Sequence, residues 1–519
     1  MTHFQNPSRR HFLRHASAMS ALVGTAAPLA LNLSAIGSAA AQSRSEYRAI
    51  VCLFFYGGND AYNMVLPTDA ASWSAYTATR NQAPDPIALL APGTAPNPGA
   101  AAGSPARLGG VLPIAPFNAQ GRSFALHPVM GNLRTMFDTD KRLAILPNIG
   151  PLVMPTSKIQ YGQSGFPKPA RLFSHNDQQN TWQALGPEGT SRGWGGRLSD
   201  AVMAVNGRSS AFTAISASGN AVWLDGDQVT QYQVNTTGAI PLGVDTAGKV
   251  YGSATVGSTL QRLASSARTA HPFELDAAAV GQRSIAAEAL LRTALRPASD
   301  PAFGTAPATG SYNPAADPKL MYTNPLTGNA AFNSLAQQFQ VVARMIDASI
   351  GNRVGMRRQV FFVSMGGFDT HDGQNKVHAD LYARIDQALK YFDDTLGGLN
   401  ARSRVTTFTA SDFGRTFTSN GDGTDHGWGS HHFVMGGAVK GGDLYGACPV
   451  LGIKNANNSD FDSSPDQIGN GAMLPRTSVD QLGATLGRWF GLTDLQLLDV
   501  FPNLANFDPI QRNLGFLTA

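Results

Sequence analysis

The residues able to do chemistry crowd into one stretch, 368–432. GGFDTHDGQ is followed by an apolar run and then by SDFGRTFTSNGDGTDHGWGSHHF. His371, His378, His426, His431 and His432 fall there, five of the eight histidines beyond residue 41. Asp369, Asp372, Asp412, Asp422 and Asp425 are interleaved with them. Imidazole and carboxylate on Gly-rich turns are the donors of a divalent-cation site. The two cysteines, Cys52 and Cys448, form no CxxC pair, which excludes a redox dithiol or thiolate metal site of that kind. A disulfide between them and two small buried side chains are both open readings.

The spacing points to strand ends. Three segments share one design: an apolar run, a Gly-rich or polar turn, then an aspartate. Run 49–55 leads to Asp60, run 360–364 to Asp369 and run 405–409 to Asp412. Open parallel sheets bind ligands beyond the carboxyl ends of their strands, so the three carboxylates are expected in one crevice. Packed together they raise one another's pKa, and a divalent cation keeps them ionised. His371 stands two residues after Asp369 and on extended backbone faces the same way. Asp425 and His426 are adjacent in the Gly-flanked turn GTDHGWG, where backbone can bend close to an ion. His431 and His432 open the next strand, so alternation sends at most one of them into the crevice, with His431 as the candidate.

Each assignment has a plainer counterpart. An aspartate after a strand also serves as the N-cap of the next helix. Asp372 and Asp422 read as turn residues, His378 as a surface or capping residue, and His127 and His271, each before a proline, as loop punctuation. Ser174, in LFSHNDQQNTW, opens a possible helix whose hydroxyl or amides could meet an anion; a capping serine fits the same pattern. Arg415 could grip an oxyanion in bidentate fashion or form a structural ion pair.

The elements that must position these residues alternate. Short apolar runs at 49–55, 143–146, 360–364, 405–409 and 433–435 read as buried strands, and helical periodicity covers 332–349, 378–396 and 478–490. Alternating strands and helices predict an α/β fold, a doubly wound and mostly parallel sheet with helices on both faces. Residues 81–120 read as an irregular surface excursion. Residues 209–279, with short alternating runs and many Gly and Thr, read as an inserted cap or β-rich subdomain.

The first 41 residues look like an export signal. Ser8-Arg9-Arg10-His11-Phe12-Leu13-Arg14 is a twin-arginine motif, followed by an apolar run diluted by Gly, Ser, Thr, Pro and Asn, with Ala39-Ala40-Ala41 as a cleavage site. This predicts a signal peptide at 1–41, a mature domain at 42–519, passage through the Tat translocase, a periplasmic or secreted protein, and no stable membrane anchor. Taking the three leader arginines from 39 basic residues leaves 36 against 35 acidic ones, a near-neutral mature chain with no case for nucleic acid. Charged residues are only 14% of the sequence, which is the composition of a folded domain.

These pieces together resemble a widespread domain-of-unknown-function (DUF) family of Tat-exported bacterial proteins within the alkaline phosphatase and sulfatase superfamily. The matching segments are the leader, FFYGGNDAYNMVLP, ALHPVM with RLAILPNIG, FSHNDQQNTW with GWGGRL, GGFDTHDGQ, SDFGR, TDHGWGSHHFVMGGAVKGG and SVDQLGATLGRWFGL. The resemblance implies an alkaline phosphatase-like domain with one or two divalent ions (Zn, Mn, Mg or Ca) and a nucleophile that attacks an anionic phosphate or sulfate ester, small-molecule or polymer. Carried onto this chain, Asp60, Asp369, His371, Asp412 and His426 match ligand positions and Ser174 falls at the nucleophile. The chain departs from the superfamily in its Asp-x-His spacing, in having Phe413 rather than His after Asp412, and in lacking the Cys/Ser-x-Pro-x-Arg motif that yields formylglycine. Three functions follow: a metal-dependent ester hydrolase, an inactive binding or interaction protein on the same fold, and an oxidoreductase, the last supported by no haem, Fe–S or dinucleotide motif.

Overall fold

The computed structural model describes residues 46–518 except 208–210, 237, 240, 242, 246 and 456–459. The export signal expected at 1–41 lies outside the described residues. Residues Arg48–Ala519 form one compact unit.

Eleven strands matter to the site. They are β1 (Arg48–Phe55), β2 (Leu143–Gly150), β3 (Ala214–Ser216), β4 (Tyr232–Asn235), β5 (Gly238–Ala239), β6 (Arg358–Met365), β7 (Val405–Ser411), β8 (Arg415–Ser419), β9 (Thr424–His426), β10 (Ser430–Met435) and β11 (Thr477–Ser478). All but β8 and β9 form one sheet in the order β11-β2-β10-β7-β1-β6-β3-β4-β5. The α/β class and the mostly parallel sheet are as the sequence pattern predicts. Strand β10 runs antiparallel to both neighbours, because a β8–β9 hairpin rather than a crossover helix joins it to β7.

The central strands β1, β6 and β7 are buried along nearly their whole length because helices cover both faces. On one face Ile50, Cys52 and Phe54 pack with Trp182 of α1 (His175–Ala184), Trp194 of α2 (Trp194–Val202) and Leu482 of α7 (Val479–Phe490). Beyond the edge strand β5 come α3 (Ala254–Ala264) and α4 (Pro272–Ala294), which pack on each other, α4 also against β5. The opposite face is covered by α5 (Ser334–Ile350) and α6 (Gln374–Gly398), joined by Phe339 against Phe392.

Register sets the site. Strand β1 pairs with β6 so that Phe55 meets Met365, and with β7 so that Phe55 meets Ser411. Three carboxyl ends therefore lie level, and the turns after them start from one row.

Segment 209–279 does not build a sheet of its own: its strands β3, β4 and β5 extend the main sheet and are followed by α3 and the start of α4. Within 81–120 the described backbone is mainly irregular, with one helical turn, Pro105–Leu108, and one strand, Leu112–Ile114. Cys52 and Cys448 are both free thiols. Among the described residues no helix is long and apolar enough to cross a membrane.

Candidate metal centre

Four pieces of backbone meet beyond the level strand ends. Leaving β6, the chain carries Asp369 and His371; leaving β7, it carries Asp412. Hairpin β8–β9 sets Arg415 directly across from His426. The fourth piece is the start of α1, with His175. Close backbone approach is needed here: Gly57 has φ +116, and a Cβ on it would lie 2.3 Å from the Asp369 amide nitrogen. Phe173 has φ +73, unusual for a bulky residue, and its carbonyl oxygen accepts from His426 Nδ1 at 2.7 Å.

Two of three imidazoles are held at Nδ1 by an oxygen: His175 Nδ1 lies 2.7 Å from Asp412 Oδ2 and His426 Nδ1 lies 2.7 Å from Phe173 O, while His371 Nδ1 is 3.4 Å from Asp425 Oδ1. A carbonyl can only accept, so His426 carries its proton on Nδ1, and an ionised Asp412 asks the same of His175. The Nε2 atoms of His175 and His426 then turn a lone pair inward, and that of His371 lies beside them. They surround one carboxylate: His175 Nε2 is 3.4 Å from Asp369 Oδ2, and His371 and His426 Nε2 are 3.1 and 3.3 Å from Asp369 Oδ1. The Nε2 atoms of His371 and His426 are 3.0 Å apart.

The donor set fits a metal. Ligand atoms of His175, Asp369 and His426 all lie within 4.8 Å of one another. A tetrahedral ion with bonds of about 2.0–2.1 Å sets its ligand atoms roughly 3.3–3.5 Å apart, close to the separations seen. Carboxylate or carbonyl oxygens behind ligating histidines are the usual outer support of such sites. Of the three carboxylates here, Asp369 pairs with Arg415, Asp412 hydrogen-bonds His175 and Asp425 lies beside His371. An imidazole-rich set favours Zn over Mg or Ca.

The protonation tendencies of the three groups differ. Hydrogen bonding to Asp412 raises the His175 pKa. Burial lowers that of His426, keeping it neutral. Burial would raise the Asp369 carboxyl, but the Arg415 hydrogen bond and charge, with His175 and His371, override it and hold it low. Asp369, His371 and Asp425 are 44–50% exposed, so the centre has an open side.

The sequence-derived set separates into two groups. Asp369, His371 and His426 come together, with Asp425 behind His371. Asp412 is fully buried and supports His175 rather than facing the centre, also accepting from the Gly57 amide at 3.0 Å and Gln179 Nε2 at 2.9 Å. Asp60 is turned away: it caps the turn Ala61–Met64 and pairs with Arg80 at 2.6 Å, both side chains fully buried. The expected convergence of three repelling carboxylates therefore does not occur, because Arg80, Arg415 and His175 each compensate one. His431 is also outside, buried in β10 with Nδ1 accepting from the Asn148 amide at 3.0 Å, and burial lowers it to about 3. Arg415 is enclosed and spends its donors on Asp369, Gly57 O and Thr424. Ser174 is the residue before α1, and its hydroxyl donates to Asp177 at 2.9 Å rather than accepting from a helix amide. His378 is buried, not at the surface, and so is His127. Asp422 accepts from the Gly373 amide at 2.9 Å and so caps α6 from the hairpin.

His175 is the residue that sequence reasoning left without a role. One signal was available: His175 and Gln179 are four apart at a helix start, hence on one face, and both reach Asp412.

Residues 47–500 match the family described as "Protein of unknown function (DUF1501)". No curated protein matches the chain. Among solved structures, 28 chains are similar. One titled as Ps i-CgsB aligns over 89% of this chain and 78% of its own, at 9% identity and a TM-score of 0.32. The same protein in complex with k-i-k-neocarrahexaose aligns over 89% and 77%, at 9% identity and 0.30. A structure from work on glycosaminoglycan metabolism by Bacteroides thetaiotaomicron aligns over 87% and 74%, at 11% identity and 0.32.

Proposed function

Because the chain belongs to the DUF1501 family of proteins of unknown function, we propose its activity from the site itself: an exported, metal-dependent hydrolase of phosphate or sulfate esters. The observation that carries the reading is the set of three imidazoles whose Nε2 atoms face Asp369, two of them anchored at Nδ1. His175, His426 and Asp369 would hold a single Zn, with His371 beside them. A bound divalent ion supplies Lewis acidity and charge for an anionic substrate. Asp412 and the Phe173 carbonyl fix the tautomers of His175 and His426, and Arg415 fixes the Asp369 carboxylate. Ser174, next to His175 in the chain, is the nucleophile of this reading, with Asp177 accepting its proton. The substrate is a small or polymeric ester anion. Export by the Tat translocase to the periplasm or beyond rests on the twin-arginine leader.

A second reading, a binding protein without turnover on the same fold, is favoured by the enclosure of Arg415 and the Ser174–Asp177 bond, which keep an oxyanion clamp and a nucleophile occupied within the protein. Elemental analysis followed by turnover on phosphate monoesters, phosphate diesters and sulfate esters separates them. Stoichiometric metal with turnover supports the hydrolase, metal without turnover supports the binding protein, and no metal removes the hydrolase and leaves the binding protein.

A further inference from the structure

The buried Asp60–Arg80 pair lies off the metal centre, yet an unbroken line of hydrogen bonds joins them. Arg80 grips both oxygens of Asp60, at 2.6 and 3.0 Å. Gln374 Nε2 donates to Asp60 Oδ2 at 2.8 Å. The amide oxygen of Gln374 accepts from Thr424 Oγ1 at 2.6 Å and from Thr370 Oγ1 at 3.1 Å. Thr424 Oγ1 in turn accepts from Arg415 Nε at 3.1 Å, and Arg415 Nη1 donates to Asp369 Oδ1 at 2.7 Å.

Every direction in this line is forced. Carboxylates only accept and guanidinium only donates, so the amide must turn Nε2 to Asp60 and its oxygen to Thr424. The Thr424 hydroxyl then has one arrangement, accepting from Arg415 and donating to Gln374. Asp60, Gln374, Thr424 and Arg415 are all buried, so water does not offer substitute partners. A buried polar network satisfied in one arrangement rigidifies what it holds. What it holds is the carboxylate that three imidazoles face.

We propose that Thr424 and Gln374 are positioning residues for the metal centre, fixing the Arg415 guanidinium and through it the Asp369 carboxylate from the anchored Asp60–Arg80 pair. The inference rests on the metal-centre reading above. It also explains Asp60, which becomes the fixed end of the line rather than a ligand.

The test compares Thr424→Val, which keeps the shape and loses the hydroxyl, with Thr424→Ser, which keeps the hydroxyl. Zinc affinity is measured by chelator competition, and the visible spectrum of the cobalt-loaded protein reports the geometry around the ion. Thr424→Val is expected to bind zinc about tenfold more weakly, the lower end of losses for outer-shell changes, with a shifted cobalt spectrum; Thr424→Ser restores both. Wild-type affinity and spectrum in Thr424→Val would overturn the proposal. If Thr424→Val does not fold, Gln374→Met carries the same expectation and the same refutation. A wild-type protein that binds no zinc removes the metal-centre reading and this inference with it; a wild-type that binds, beside an equal Thr424→Val, removes the inference alone.

Discussion

Replacing Asp412 with asparagine separates support of a ligand from ligation itself. Asp412 is fully buried, and its Oδ2 accepts from the Gly57 amide, Gln179 Nε2 and His175 Nδ1 at 3.0, 2.9 and 2.7 Å. Asparagine can offer its oxygen to the same donors, so shape and most hydrogen bonds survive. What is lost is the negative charge behind His175, which makes Nε2 the better donor. Outer-shell changes of this kind cost about 10–100-fold in metal affinity, or about 1.4–2.7 kcal/mol. Alanine would be less informative, because it leaves buried amides unpaired at about 1–3 kcal/mol each and so also unfolds the site. The assay is zinc competition against a chelator, with thermal unfolding of the metal-free protein as control. An unchanged zinc affinity in Asp412→Asn would refute the support role. Complete loss of zinc in a folded Asp412→Asn would place Asp412 among the ligands instead.

Other outcomes follow from the same geometry. Asp60→Ala leaves Arg80 charged and buried, so it should cost about 3–5 kcal/mol in denaturant unfolding; a loss below about 1 kcal/mol, the range of an exposed pair, would contradict the pairing. Gly57→Ala is expected to abolish zinc binding, since its Cβ would meet the Asp369 amide nitrogen at 2.3 Å on φ +116 backbone; intact binding would show that the two turns are farther apart. Ser174→Ala should keep zinc and lose ester turnover, and retained turnover would remove Ser174 as nucleophile. Burial raises the Asp386 carboxyl to about 6. The folded state then keeps a proton that the unfolded state releases near pH 4, so stability falls as pH rises from about 4 to about 6 and levels off above. Asp386→Asn should flatten that slope in urea titrations across the window, and an unchanged slope would contradict the assignment.

The strands and long helices were legible because each buried run or amphipathic stripe is a local signal. The strand β1 expected at 49–55 forms at Arg48–Phe55, and the helix expected at 478–490 forms at Val479–Phe490. Asp369 and His371 were legible for the same reason, since extended backbone after a strand places both on one side. Asp60 had the same local signal and a different fate, decided by Arg80, whose guanidinium reaches back from helix Ala70–Arg80 to bury the pair. His175 was harder to see: its spacing of four from Gln179 marks one helix face, but that face becomes a site only through Asp412, which is distant in the chain. Within 209–279 the strands extend the edge of the main sheet, and short polar-rich strands read alike in sequence whether they do that or form a separate sheet.

The central claim is that His175, His426 and Asp369, with His371 beside them, hold one divalent ion. Its most direct test is the metal content of the purified wild-type protein by elemental analysis after extensive dialysis. About one equivalent of zinc per chain, lost in His426→Ala, is the predicted result. Wild-type protein without stoichiometric metal, and unable to take up zinc when supplied, would contradict it.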